Sequence, residues 1–247
     1  MLIFLLIGEA VGRAGIVDRT FLPPTSTVLA RAAELVTDGG FLQDIGATLL
    51  SWGSGLLLAT AIAVPMGLLL GSLPLVNSAA AVLIEFLRPI PGVALIPLAL
   101  LLIADQGRLE RTVVAYAALW PILINTVYGV GDVDPVARDM ARCFGLGKIA
   151  LVLRLSLPSV APFVATGVRI SSSIALIVAI TTELVAGGGQ HGIGMFIIQA
   201  SSGIGQTAVV FAAVMITGVL GYLLDVGLRR GERRLFRWHF ESLRSSL

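Results

Sequence analysis

Residues 45–84 read IGATLLSWGSGLLLATAIAVPMGLLLGSLPLVNSAAAVLI, a run without a single Asp, Glu, Lys or Arg. A helix needs about 20 apolar residues to cross the hydrocarbon core of a bilayer. It is also the form in which one segment satisfies its own backbone polar groups in lipid. The run is about twice that length. Its turn-forming residues cluster at Gly71-Ser-Leu-Pro74 and Asn77, so it holds two helical spans, or parts of them, broken there.

The rest of the 247-residue chain agrees. It is 56% hydrophobic and only 13% charged, with a mean hydropathy of +0.95, whereas soluble domains carry about 25% charged residues. Further spans are expected at 79–104, 112–131, 159–185 and 207–228, after a first at 45–71. An incomplete one falls at 1–12, where seven apolar residues run straight into Glu9 and Arg13. The expected architecture is an all-α integral membrane protein of about six transmembrane helices, the first apparently truncated, forming a single domain over 1–247.

Orientation follows the distribution of basic residues, which concentrate on cytoplasmic loops. One side holds Arg13, Arg19, Arg31, Arg108 and Arg111. The other holds Arg138, Arg142, Lys148 and Arg154, and a basic tail over 229–247 adds Arg229, Arg230, Arg233, Arg234, Arg237 and Arg244. Ten against five places segment 132–158, the tail and both termini in the cytoplasm. Segment 20–40 is then an external connection with a short amphipathic helix after Pro24.

Several functions are excluded. The lone Cys143 allows no disulfide within the chain and no cysteine-built metal cluster. His191 and His239 are too few and too far apart to suggest a metal site. Neither HExxH nor GxSxG occurs. Gly145-Leu-Gly147-Lys148 lacks the upstream glycine and the following Ser/Thr of a phosphate loop. Gly187-Gly-Gly189-Gln190 resembles part of an ATPase signature but reads better as an external turn. No catalytic site, no metal and no nucleotide site of its own is expected.

Within the spans, small residues recur at every fourth position: Ser51, Gly55, Ala59, Ala63, Gly67 and Gly71. Such a stripe lets another helix approach closely, either inside the chain or across a subunit interface. Glu85 and Arg88 lie three apart and can pair, just before Pro89-Ile90-Pro91-Gly92, which must bend or interrupt the helix. They are either a structural pair beside a kink or part of a gate. In 159–185, Arg169, Ser172, Ser173 and Glu183 fall within about 100° on a helical projection. That stripe lines a cavity or bonds to neighbouring helices.

Segment 132–158, DVDPVARDMARCFGLGKIALVLRLSLP, carries the functional signal. Asp134 suits an N-cap, Pro135 a first helical position and Gly145 a left-handed end. Ala137, Ala141 and Phe144 are expected to form an apolar edge. The register Asp139-Met140-Ala141, three residues, Gly145, nine residues, Leu155, one residue, Leu157-Pro158 resembles the cytoplasmic loop of permease subunits of bacterial ABC importers. Asp139, Met140 and Leu155 stand where that pattern has Glu, Ala and Ile. The order of Glu85-Phe-Leu-Arg-Pro-Ile-Pro91, Trp120-Pro121-Ile-Leu-Ile-Asn125-Thr126, Val133-Asp134-Pro135, Gly167-Val-Arg169, Glu183 and Gly192-Ile-Gly194 looks like the nitrate/sulfonate/taurine group. The resemblance covers about residues 9–240.

The resemblance implies a type I ABC importer permease in a bacterial inner membrane. It implies two ATP-binding subunits that hold ATP and Mg, a second permease (a copy or a related chain) and an extracytoplasmic substrate-binding protein. The loop would dock on an ATPase through Arg138, Asp139, Ala141, Arg142, Phe144, Gly145, Leu157 and Pro158. Pathway residues are expected at Arg88, Arg169, Ser172 and Glu183, and the solute is a sulfonate, nitrate or taurine-like molecule or a vitamin precursor. The alternative is an ion-driven secondary transporter using Glu85 and Glu183.

Overall fold

The computed structural model describes residues 21–187, 191–203 and 205–236, together with Glu9, Ala10 and Arg13. Every regular element among them is helical. Helix α1 (Thr25–Thr37) follows Pro24, as expected for the amphipathic segment, and packs Val28 and Ala32 against Ala212. Helix α2 (Gly39–Ser72) starts where the Asp38 carboxylate accepts the Phe41 N–H at 2.9 Å. It ends at the predicted Gly71–Pro74 break, and α3 (Pro74–Leu87) begins there. A 3₁₀ turn (Gly92–Leu95) leads into α4 (Ile96–Leu102), and α5 (Gln106–Gly131) returns across the core. Next come a short α6 (Pro135–Cys143), α7 (Lys148–Leu151), a π-helical turn (Val152–Ser156) and α8 (Leu157–Ala186). The chain closes with α9 (Ile193–Ser201) and α10 (Thr207–Leu235).

Among the described residues, helices Gly39–Ser72, Gln106–Gly131, Ile149–Ala186 and Thr207–Leu235 are long and apolar enough to cross a membrane. Leu75–Leu87 and Gly92–Leu102 make a fifth, broken span bent by 76°. Five of the six expected spans therefore have counterparts. The sixth, at 1–12, lies almost wholly outside the described residues. The bend falls at Pro89-Ile90-Pro91, where prolines remove backbone donors. Tyr116 on α5 donates its hydroxyl to the Leu87 carbonyl at 3.0 Å. The same carbonyl accepts the Ile90 N–H at 3.2 Å, so the bend is closed within its own turn and tied to a neighbouring helix.

The core is a three-helix slab of α2, α5 and α8. Ala59 and Ala63 of α2, Val114, Ala118 and Ile122 of α5, and Ala175 and Ala179 of α8 are fully or almost fully buried. The small-residue stripe is the α2 face of this seam. A Cβ on Gly55 would lie 2.5 Å from Val114 Cγ1, one on Gly67 2.6 Å from Thr126 Cβ, and one on Gly71 2.6 Å from Val130 Cβ. The stripe's partner is a helix of the same chain. Without a hydrophobic drive between helices in lipid, such close backbone approach supplies the packing. Large apolar side chains turn outward instead, Leu50, Leu57, Ile177 and Val214 among them.

Gly55→Ala should therefore destabilise the chain by about 1–3 kcal/mol through overpacking. Gly53→Ala, with nothing within 4 Å of the added methyl, should not. Thermal unfolding of the two detergent-solubilised variants beside the parent chain checks the contrast.

Candidate functional site

The loop of the predicted register folds as its residues dictate. Asp134 accepts the Val136 N–H at 2.8 Å and Pro135 occupies the first turn of α6. At the other end Gly145 takes φ +80°, and the Leu146 N–H reaches back to the Ala141 carbonyl at 3.1 Å. That left-handed closure favours glycine. Arg138 is turned inward: its guanidinium donates to the Val130 carbonyl near the end of α5. Asp139 and Arg142 form an exposed ion pair at 3.1 Å, a kind that contributes little in water.

The apolar edge differs from expectation. Ala137 and Ala141 are half-buried, while Val136, Met140 and Phe144 are exposed by 63%, 56% and 81%. The bond from Arg138 to α5 sets the rotation of α6, placing the 137/141 side toward the body. The exposed ridge is therefore 136/140/144, which shares Phe144 alone with the expected edge. Leu157 and Pro158 open α8, Leu157 half-buried and Pro158 exposed.

The four expected pathway residues fall in three places. Arg88 is exposed, at the mouth of a groove of about 530 Å³ between α3 and α5 that Asn77, Glu85 and Tyr128 also line. No ion pair joins Glu85 to Arg88 among the described residues, so the expected pairing is not formed. Arg169, half-buried, lies 3.1 Å from Glu232 of α10, and Glu232 also accepts the Thr166 hydroxyl at 2.9 Å. Ser172 is buried, its carbonyl accepting the Trp52 indole N–H at 3.0 Å. Ser173, on the same helical projection, is exposed.

Glu183 is 1% exposed and has a defined task. One of its oxygens accepts the Gly194 N–H at 2.7 Å and the other the Thr48 hydroxyl at 2.7 Å. Thr48 in turn accepts the Ile193 N–H at 3.0 Å, and Asp44 the Gly192 N–H at 3.0 Å. The N–H groups opening α9 are thus capped by side chains of α2 and α8. Helix starts leave such donors orphaned, and a carboxylate there is favoured by the helix dipole. The Gly192-Ile-Gly194 motif has its reason here too. A Cβ on Gly194 would lie 2.5 Å from the Ile180 carbonyl oxygen, and one on Gly192 2.6 Å from the Glu183 carboxyl carbon.

Sequence reasoning missed Glu110. Expected in a loop before a span at 112–131, it lies instead inside α5, 7% exposed, beside Glu183 and Ser51. Its spacing of three and four from the buried Val113 and Val114 was the available signal.

The described residues form a multi-pass helical body with an inner slab, a broken span and a capped surface helix. Residues 63–237 match the family of binding-protein-dependent transport system inner membrane components, and the chain belongs to it. It is 27% identical over 245 residues to the taurine transport system permease protein of Escherichia coli, covering 97% of this chain and 88% of the other. It is 30% identical over 189 residues to the nitrate import permease protein of Leptolyngbya laminosa, covering 76% and 67%. A chain of the MetNI methionine ABC transporter superposes with a TM-score of 0.65 at 17% identity, over 78% of this chain and 94% of that one. The fold is that of a type I ABC importer permease, a transport component rather than a catalytic enzyme.

Asp134→Ala removes the cap of α6 and should cost about 1 kcal/mol locally. Amide hydrogen exchange should then quicken about fivefold over 136–143, while α2 and α5 stay protected.

Proposed function

We propose that this chain is the pathway-forming permease subunit of an ATP-driven importer, coupled to its ATPases by α6. The observation that carries the reading is the exposed ridge Val136–Met140–Phe144 on a helix capped at both ends and tied back to α5. A short helix that presents three large apolar side chains to water is built to be covered. In this reading the ridge seats on an ATP-binding subunit. The Asp139–Arg142 pair, Gly145 and the Leu157-Pro158 start of α8 hold the docked geometry. Two ATPases carry ATP and Mg, a second permease completes the pathway, and a binding protein delivers solute from outside. The basic residues of the loop and tail support a cytoplasmic position for that face and for both termini.

The groove beside the bend supports a place on the pathway for Arg88, with Glu85, Asn77 and Tyr128 as its neighbours. Arg169, Ser172 and Glu183 belong to the moving walls in the same reading. The solute class it favours is a small anion, of the kind named for the taurine and nitrate relatives, for which an intramembrane guanidinium is a fitting contact. Family membership leaves the ion-driven alternative without support.

Phe144→Asp tests the coupling. An exposed residue can change without unfolding the chain, and loss of an aromatic anchor costs an interface about 2 kcal/mol or more. Co-purification of the ATPase should fall by at least about thirtyfold and solute uptake with it. Intact uptake and intact co-purification would end the importer reading, as would uptake that survives ATP depletion but not collapse of the proton gradient. Arg88→Gln should depress uptake of an anionic solute while leaving ATPase co-purification unchanged.

A further inference from the structure

A second cavity, of about 560 Å³, opens between α6 and the membrane-spanning body. Its walls come from the end of α2, the end of α5, α7 and the π-helical turn, and most are apolar. Leu69, Leu73, Ile149 and Leu153 line it and are 44–78% exposed. Two guanidinium groups, Arg138 and Arg142, line it as well.

Its level follows from two span ends: Ser72 closes α2 and Gly131 closes α5, so the cavity sits at the end of those two spans. Arg138 is pinned to that level by its bond to the Val130 carbonyl. Among the described residues no other acceptor takes its remaining donors, or those of Arg142 beyond the contact with Asp139, and a guanidinium has five. Apolar walls with cations at one level match an amphiphile that has acyl chains and an anionic head. Basic pockets between helices at the cytoplasmic boundary are suited to such head groups. The π turn adds to the case, because π-helical bulges concentrate at functional positions.

We propose that this cavity binds an anionic phospholipid, with the phosphate held by Arg138 and Arg142 and an acyl chain laid along Leu69, Leu73, Ile149 and Leu153. The lipid fills the space behind α6 and supports it from the membrane side, leaving the outward ridge free. A zwitterionic phospholipid offers the same chains without net negative charge and is bound less well. A water-soluble phosphate offers the charge without the chains and is not held.

Native mass spectrometry of the full chain in detergent, incubated with equimolar phosphatidylglycerol and phosphatidylcholine, tests this. The parent chain should retain phosphatidylglycerol at least fivefold over phosphatidylcholine. Because Arg138 also ties α6 to α5, the exposed Arg142→Gln carries the charge test, and it should weaken retention about fivefold, the effect of one basic residue near an anionic surface. Leu69→Trp, which fills the cavity without altering charge, should lower retention with an unchanged melting temperature. Equal retention of the two lipids overturns the proposal. So does an Arg142→Gln variant that binds like its parent, or glycerol phosphate competing as strongly as the lipid. Disulfide trapping of Leu153→Cys, in a Cys143→Ser background, with a second copy, undiminished by phosphatidylglycerol, would assign the cavity to a subunit interface and overturn it equally.

Discussion

The close approach of α2 to α5 is the constraint on which the remaining structure rests. Gly55, Gly67 and Gly71 leave no room for a methyl group before Val114, Thr126 and Val130. In lipid, apolar side chains gain nothing by leaving solvent for one another, so contact must come from backbones brought near. Once α2 and α5 are locked, α8 closes the slab through Ala175 and Ala179. The broken α3–α4 span then has a fixed surface to lie on, and Tyr116 of that surface donates to the carbonyl at its bend.

The same requirement explains the polar residues. Asp44, Thr48 and Glu183 are costly to bury in an apolar body, yet each receives a donor from the start of α9. They let a short helix begin inside the protein without orphaned N–H groups. Glu183, a residue that hydropathy alone marks as functional, is explained in the single chain by this structural duty.

Much of this was legible from residues. Charge-free runs and the Gly71–Pro74 and Pro89–Gly92 breaks located five spans, because glycine and proline act locally on the backbone. Span lengths were underestimated. Composition reports the hydrocarbon slab, while α2 begins at Gly39, α5 at Gln106 and α10 continues to Leu235, each beyond its apolar stretch. Glu110 was lost for that reason, assigned to a loop when it occupies the first turns of α5. The caps of α6 were legible because Asp134, Pro135 and Gly145 act on their neighbours. The rotation of α6 was not, since Arg138 sets it by reaching the carbonyl of Val130. The pairing of Arg169 with Glu232 joins α8 to α10, and no local pattern announces a partner that far along the chain.

The helical run from Ile149 to Ala186, in which the π turn joins α7 to α8, has a mechanical consequence. At 1.5 Å per residue it forms a strut of about 57 Å, with its foot beside α6 and its head at the cap of α9. A rigid strut turns a small rotation at one end into a large displacement at the other, so a tilt of about 4° moves the head by about 4 Å. The π turn (Val152–Ser156) near the foot is where the hydrogen-bond pattern of that run changes. Under the proposed coupling, its stiffness sets how much of a push on the loop arrives at the far side as movement, and how much is absorbed as strain.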